Sequence, residues 1–321
     1  MAVIDFPRRA AGIPGDLRQL SRDWLDHKRA RSAAANTLAA YAADLELLAE
    51  FLARRDITLV QHVSEYLLDQ WLDQGVLHMG WSPRTAARRL STVRNLLAWC
   101  MRAGLIGHNP AAEMRVRFRA GQKIAPEMHL LFKVVSNIGT RAPVDLRDRA
   151  ILMLLLDGAL RAGEVATLDL ADPAGGSRYC VHLHSCRVSV RPKGGSDDTH
   201  EVVGIEPQTV ESVRAWLKAR PKLAGEGERA LFVNKRGQRL SRQSIYVVVR
   251  SRGAAVGLPK LHPHLFRHRR IGEVAEKLGL HAAKALARHA HGSTTANIYG
   301  HHAAEVQRQA IRNHAPLGEV G

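Results

Sequence analysis

Residues 261–302 read LHPHLFRHRRIGEVAEKLGLHAAKALARHAHGSTTANIYGHH. Within this stretch His264 and Arg267 are three residues apart, and His268 is four from His264. On a helix all three project from one face. Farther along stand His289 and Tyr299, the tyrosine between an Asn-Ile pair and a Gly-His-His tail. The chain holds only five tyrosines, so one that closes a basic, histidine-rich segment is a candidate for chemistry. The pattern reads as a tyrosine nucleophile, with the rest of the segment arranged to bring DNA phosphate to it.

Bulk composition agrees with that reading. The 321 residues suffice for two domains, each with its own core, and the 45% apolar content is that of a globular chain. Lysine and arginine number 47 against 30 aspartates and glutamates, a formal charge of +17. An excess of that size implies a polyanionic partner, usually nucleic acid. A ribosome-associated or membrane-surface protein is the ordinary alternative. The opening MAVIDFPRRAAGIPG lacks the apolar run of a secretion signal, and no stretch reads as a membrane span. Cys100, Cys180 and Cys186 are odd in number and not in CxxC spacing, which suits reduced, mostly buried thiols in the cytoplasm.

Residues 1–15 read as a flexible arm. From Asp16 the pattern is helical, with Leu17, Leu20, Trp24 and Leu25 on one stripe. A second helix is predicted from Thr37, with Asn36 as its N-cap, to about Arg54. A third, near Ser64 to Gln74, buries Tyr66, Leu67 and Trp71. The fourth has the clearest start, Ser82 capping and Pro83 in the first turn, and Gly104 fits its end. Its Arg84, Arg88 and Arg89 lie opposite Leu90, Val93 and Leu97. They read as a DNA-facing surface, or more plainly as a solvated helix face. Residues 16–116 thus form one helical, DNA-binding unit. The basic, aperiodic RVRFRAGQKIAP that follows marks a boundary, with a linker over 117–126 that includes Lys123.

The second domain, 127–321, opens with helices near 127–138 and 145–160, the latter carrying the apolar run LMLLL. Arg161 follows directly, in ALRAGE. An arginine at the edge of so apolar a helix needs a partner; Glu164 can orient it and an anion can neutralise it. Over 178–204 the period changes to that of short strands, CVHLHSC, VSVRP and HEVVGI, with Lys193-Gly194-Gly195 turning between the last two. Helices are then predicted over 208–220 and from a Ser241 cap to Arg250, the latter beginning with Arg242, and an amphipathic helix over 303–312.

At this point the chain resembles a known family, the tyrosine site-specific recombinases, also called the phage integrase family. ALRAGE at 159–164 is similar to its arginine box, RPKGG at 191–195 to the segment presenting its lysine, and HLFRH at 264–268 to its H-x-x-R-H box. ARHAHGSTTANIYGH at 287–301 resembles the box that ends in the tyrosine. The order Arg, Lys, His-x-x-Arg, His, Tyr is specific where any single box is not. Three places depart from the common pattern: Ala287-Arg288 where Leu-Gly is frequent, Arg269-Arg270 where a threonine is common, and Ser196-Asp197-Asp198 in the hairpin. The resemblance implies a mainly α, two-domain, C-shaped DNA clamp. Its halves are a helical core-binding (SAM-like) domain and an α-rich catalytic domain with a small antiparallel sheet. It also implies a homotetramer, or a hetero-tetramer with a paralogue, on two double-stranded DNA duplexes with a specific core site, and the helix at 303–312 packing into a neighbouring protomer.

The residues suit that chemistry. Attack on a phosphodiester builds charge on two non-bridging oxygens, and guanidinium forks, always protonated, match them. Arg161 and Arg267 form that clamp. Tyr299, with an unperturbed pKa near ~10, needs help to attack at neutral pH; His264 can accept its proton. Lys193 is the natural acid for the departing 5′ oxygen, His289 a hydrogen-bond donor to phosphate, and Glu164 and His268 supports for the others. The 3′-phosphotyrosyl link conserves the energy of the broken ester, so no ATP is expected, and no G-x-x-x-x-G-K-[ST] loop is present; nor is a metal cofactor expected, since Leu265 and Phe266 leave no acid in an H-E-x-x-H arrangement and no cysteine lies nearby. The plain readings are an Arg161–Glu164 ion pair, a solvated turn lysine, core or metal-binding histidines and an interface tyrosine. Two rival functions remain: a type IB topoisomerase or telomere resolvase using the same chemistry, and a DNA-binding regulator without catalysis.

Overall fold

The computed structural model describes residues 15–117, 125–171, 177–192 and 199–288 of the 321. The expected arm, the helix at 303–312, and Lys123, Lys193, His289 and Tyr299 lie outside these. The chain divides into two compact units, Met1–Gln122 and Lys123–Gly321.

The first unit is helical. α1 (Leu17–Ala30) starts where the Asp16 carboxylate accepts from the Gln19 amide at 2.8 Å. α2 (Ala35–Ala53) begins two residues earlier than the Asn36 cap implied: Ala34 holds the cap position and Asn36 falls inside the first turn. Alanines on both sides are the strongest helix formers, and their propensity extends the helix past the better cap residue. α3 (Glu65–Leu77) is capped by Ser64 and runs to Leu77 rather than Gln74; Tyr66, expected inside, is exposed. α4 (Pro83–Arg102) is capped by Ser82, and Gly104 follows its end at φ 71°. Trp24, Leu48, Leu52, Leu68, Leu90, Leu96 and Leu97 fill the core, each such side chain contributing roughly 1.5–3 kcal/mol by burial. Trp81 meets Trp71 edge-on at 5.1 Å and lies against Gly75, where a Cβ would fall 2.1 Å from the indole. Burial pushes the Cys100 thiol in this core up to about 12.

In the second unit α5 (Met128–Ser136) leads to α6 (Pro143–Leu156), whose residues from Ala150 to Leu156 are all buried. α6 stops four residues short of the expected Leu160. The chain turns at Asp157, whose carboxylate accepts from the Glu206 amide at 2.6 Å and the Thr209 hydroxyl at 2.8 Å. Ala159 then takes φ 47°. α7 (Ala162–Thr167) follows. β1 (Val181–His182), β2 (Arg187–Val190) and β3 (Glu201–Gly204) form one antiparallel sheet in that order, with Val181 opposite Val188 and Val190 opposite Glu201. β1 is shorter than its sequence pattern, because residues 183–186 form the turn, Cys186 at φ 50°. α8 (Pro207–Ala219) packs on α6 through Trp216, whose indole donates to the Leu231 carbonyl at 2.9 Å. α9 (Arg242–Ala254) is capped by Ser241. α10 (Pro263–Ala287) is interrupted at Gly279, at φ 84° and ψ 170°.

α6 and α9 are joined by a charged lattice. Asp148, 4% exposed, accepts from Arg147 through one oxygen and from Arg252 through the other, and Arg252 also reaches Asp145 at 2.6 Å. No described helix is long and apolar enough to cross a membrane.

Candidate active site

The apolar end of α6 delivers Arg161 to a partly buried place. Its backbone N–H donates to Glu164 Oε2 at 2.7 Å, and its Nη1 donates to Glu164 Oε1 at 2.7 Å. One carboxylate one turn ahead therefore fixes both main chain and guanidinium, and Glu164 itself is 5% exposed. This is the pairing expected from ALRAGE. The second fork remains: Arg161 Nη2 donates to the carbonyl of Arg288 at 3.3 Å and, weakly, to that of Ala287 at 3.5 Å.

Arg267 approaches the same point from α10. It is 1% exposed, with Nη1 donating to the Ala159 carbonyl and Nη2 to the Ala287 carbonyl. A guanidinium this deep persists only with its donors satisfied. The left-handed turn at Ala159 is what carries that carbonyl into the α10 region. So two arginines separated by more than a hundred residues converge on the end of α10, immediately before His289 in sequence.

His264 and His268 stand on α10 one turn apart, on the face that carries Arg267. His264 is exposed and His268 half-buried. Glu164 has a further partner that the sequence did not disclose: Arg288 Nη2 donates to its Oε2 at 2.7 Å. Arg288 also lies 3.5 Å from Glu201. Burial pulls the Arg288 guanidinium below its ordinary value; the Glu164 carboxylate opposes that and neighbouring Arg161 adds to it. Three guanidiniums and two carboxylates meet here, leaving an excess of positive charge suited to one phosphodiester.

In the first unit α4 presents its arginines unequally. Arg84 is exposed. Arg88 grips both oxygens of Asp44, which is 2% exposed, yet keeps 49% of its own side chain open. Arg89 is held inward, 3.8 Å over the Trp81 ring and 3.5 Å from Asp44, with 17% exposure. Burial lowers its pKa, Asp44 countering and Arg88 reinforcing. Asp44 is the residue that pattern reading overlooked, since an aspartate inside an apolar helix gave no sign of which arginines it would meet. Arg242, in the first turn of α9, is exposed and sits 5.6 Å over Tyr246.

Comparison with known proteins identifies the family. The phage integrase family model matches residues 126–306, and its N-terminal SAM-like domain matches 23–104. The chain belongs to the phage integrase family of tyrosine site-specific recombinases. Among curated members it is 33% identical to tyrosine recombinase XerC of Alcanivorax borkumensis, over 69% of this chain and 70% of that one. It is 32% identical to XerD of Mycobacterium tuberculosis, over 76% and 80%. Among solved structures, the Tn1549 transposon integrase in complex with transposon right end DNA superposes with TM-score 0.71 at 17% identity, covering 94% of this chain and 99% of that one. XerH bound to a palindromic difH substrate gives 0.66 at 20%, covering 92% and 84%. At such identities the superpositions show the fold: a mainly α, two-domain recombinase with a small antiparallel sheet. As a tyrosine recombinase, the protein cleaves and rejoins DNA at specific sites.

Proposed function

We propose that this recombinase attacks a DNA phosphodiester with Tyr299, giving a 3′-phosphotyrosyl link and a free 5′-hydroxyl. Arg161 and Arg267 hold the two non-bridging oxygens, and their field lowers the cost of forming the phenolate. His264 takes the phenol proton, Lys193 protonates the leaving 5′ oxygen, and His289 donates to the phosphate. Glu164 and His268 keep the donors aimed. Reversal completes exchange: a partner strand's 5′-hydroxyl attacks the phosphorus, the bond to Tyr299 breaks and the phenolate leaves, one ester replacing another of similar energy. The supporting observation is the convergence of Arg161 and Arg267 on the carbonyls at the end of α10. Carbonyl oxygens there occupy donors that a phosphate's oxygens can use equally well.

The partner is double-stranded DNA carrying a core site, bound in the cytoplasm and engaged by four protomers on two duplexes. Arg84 and Arg88 of α4, with Lys123 and Arg242, contact the backbone, while Arg89 holds α4 in place from behind.

A covalent-trapping assay tests the reading. The protein is incubated with nicked duplexes taken from DNA flanking its gene and quenched in detergent. A shifted protein–DNA band is expected, its phosphopeptide mapping to Tyr299, lost in Tyr299→Phe while DNA affinity survives. The same reaction run without detergent is expected to show a complex holding two duplexes. Tight binding of DNA from which no adduct ever forms, on flanking or random sequence, favours a binding protein instead.

A further inference from the structure

We infer that Arg288 is a positioning residue for strand cleavage, clasping the stem of the β2–β3 hairpin to the carboxylate that orients Arg161. The inference rests on the assignment of Arg161 to the phosphate clamp.

α10 ends at Ala287, and Arg288 takes φ 48° and ψ 46°. That left-handed turn sends its side chain back into the protein, where it is 7% exposed. Nη2 donates to Glu164 Oε2 at 2.7 Å, and Nε lies 3.5 Å from Glu201 Oε2. The second contact is an ion pair without hydrogen-bond geometry, since neither Nε nor that oxygen finds a hydrogen-bond partner. Glu201 opens β3 and pairs with Val190, the last residue of β2. The connection leaving these two residues carries Lys193 in its sequence. One side chain thus ties the hairpin stem, through Glu201, to the arginine box, through Glu164.

Its main chain completes the tie, for the Arg288 carbonyl accepts from Arg161 Nη2 at 3.3 Å. Glu164 is consequently loaded on both oxygens: Oε1 by Arg161, Oε2 by the Arg161 amide and by Arg288. Without Arg288, Oε2 loses its charged partner and the carboxylate is freer to turn, taking the Arg161 fork with it. Arg288 is not itself placed as a phosphate ligand. Its Nη2 is committed to Glu164 and its Nε faces Glu201, two carboxylates that match its charge and that of Arg161.

The test compares wild type with Arg288→Gly, Arg288→Lys, Glu201→Gln and the Arg288→Gly/Glu201→Gln double variant, all full-length. Glycine adopts φ 48° without penalty, so it removes the guanidinium while keeping the turn. Three quantities are read: the single-turnover cleavage rate on a nicked duplex, DNA affinity by fluorescence anisotropy, and amide exchange at residues 201–204 by mass spectrometry. Arg288→Gly is expected to cleave roughly tenfold more slowly, as misorientation of a clamp does. Its affinity is expected to stay the same and exchange at 201–204 to quicken. Arg288→Lys recovers part of the rate, and adding Glu201→Gln to Arg288→Gly costs nothing more. An unchanged rate overturns the positioning role, and a rate loss matched by lost affinity makes Arg288 a phosphate contact instead. Unchanged exchange removes the clasp. A wild type that forms no adduct at Tyr299 fails the reading of the site, whereas the exchange comparison needs no cleavage and still decides whether the clasp exists.

Discussion

Arg161 and Arg267 are chemically alike but differently placed, and the difference predicts how each tolerates change. Arg161 keeps 27% of its side chain open and uses one nitrogen on Glu164, while the other rests on the Arg288 carbonyl, the donor proposed for the phosphate. Arg161→Lys is expected to lower single-turnover cleavage about 100-fold, near 3 kcal/mol of barrier, with little change in melting temperature. Arg267 is 1% exposed and bridges Ala159 to Ala287. Arg267→Lys cannot span both carbonyls, so it is expected to lower the rate and also the melting temperature; a variant as stable as wild type contradicts this account. The Arg161–Glu164 pairing was legible from sequence because ALRAGE is a local string. Arg288 was not, since its meaning depends on a backbone turn and on two carboxylates 124 and 87 residues away. All that showed was an arginine where a Leu-Gly pair is frequent.

Helices declared themselves by apolar spacing and caps, and most ends were legible to within a few residues. Ser64, Ser82 and Ser241 all cap as their positions imply. Asn36 does not, because local capping chemistry competes with the helix propensity of the alanines before it. The end of α6 was hidden for another reason: Asp157, which terminates it, is held by Glu206 and Thr209, residues of a segment not yet in view when 145–160 is read alone. The α6–α9 lattice was likewise invisible, since Asp145, Arg147 and Asp148 look like an ordinary charged first turn. Its centre, Asp148, receives two arginines while 5% exposed in its side chain. Asp148→Ala is expected to cost the second unit about 3–5 kcal/mol, because it takes the carboxylate from the buried Arg147 and leaves Arg252 with Asp145 alone. A urea midpoint indistinguishable from wild type refutes that.

At the scale of the whole chain, two units with separate cores share a formal charge of +17. The charge foretold a polyanion; it did not say which cations face it. The geometry of α4 separates them. DNA affinity is expected to fall linearly in log–log form as salt rises, with a slope near −0.9 for each phosphate neutralised. Arg84→Ala, at an exposed position, is expected to reduce that slope by about one. Arg89→Ala, packed on Trp81, is expected to lower the stability of the first unit and leave the slope alone. Anisotropy titrations across a range of salt, beside thermal melts, distinguish the two. Equal slope changes for both arginines overturn the assignment.

The seat of the last turn of α10 carries one more consequence. The Ala287 carbonyl accepts from Arg161 and Arg267, the donors proposed to hold the phosphate, and Ala283 and Ala287 pack with Ala159, Ile271 and Ala275. Two acceptors drawing on one set of donors are thermodynamically coupled, and the coupling is reciprocal: by whatever factor the anion loosens that turn, the seated turn weakens the anion. The small cluster of Ala159, Ile271, Ala275, Ala283 and Ala287 sets how firmly that turn is seated. A methyl group added or removed there is expected to change anion affinity, read by anisotropy titration, without altering any proposed phosphate donor.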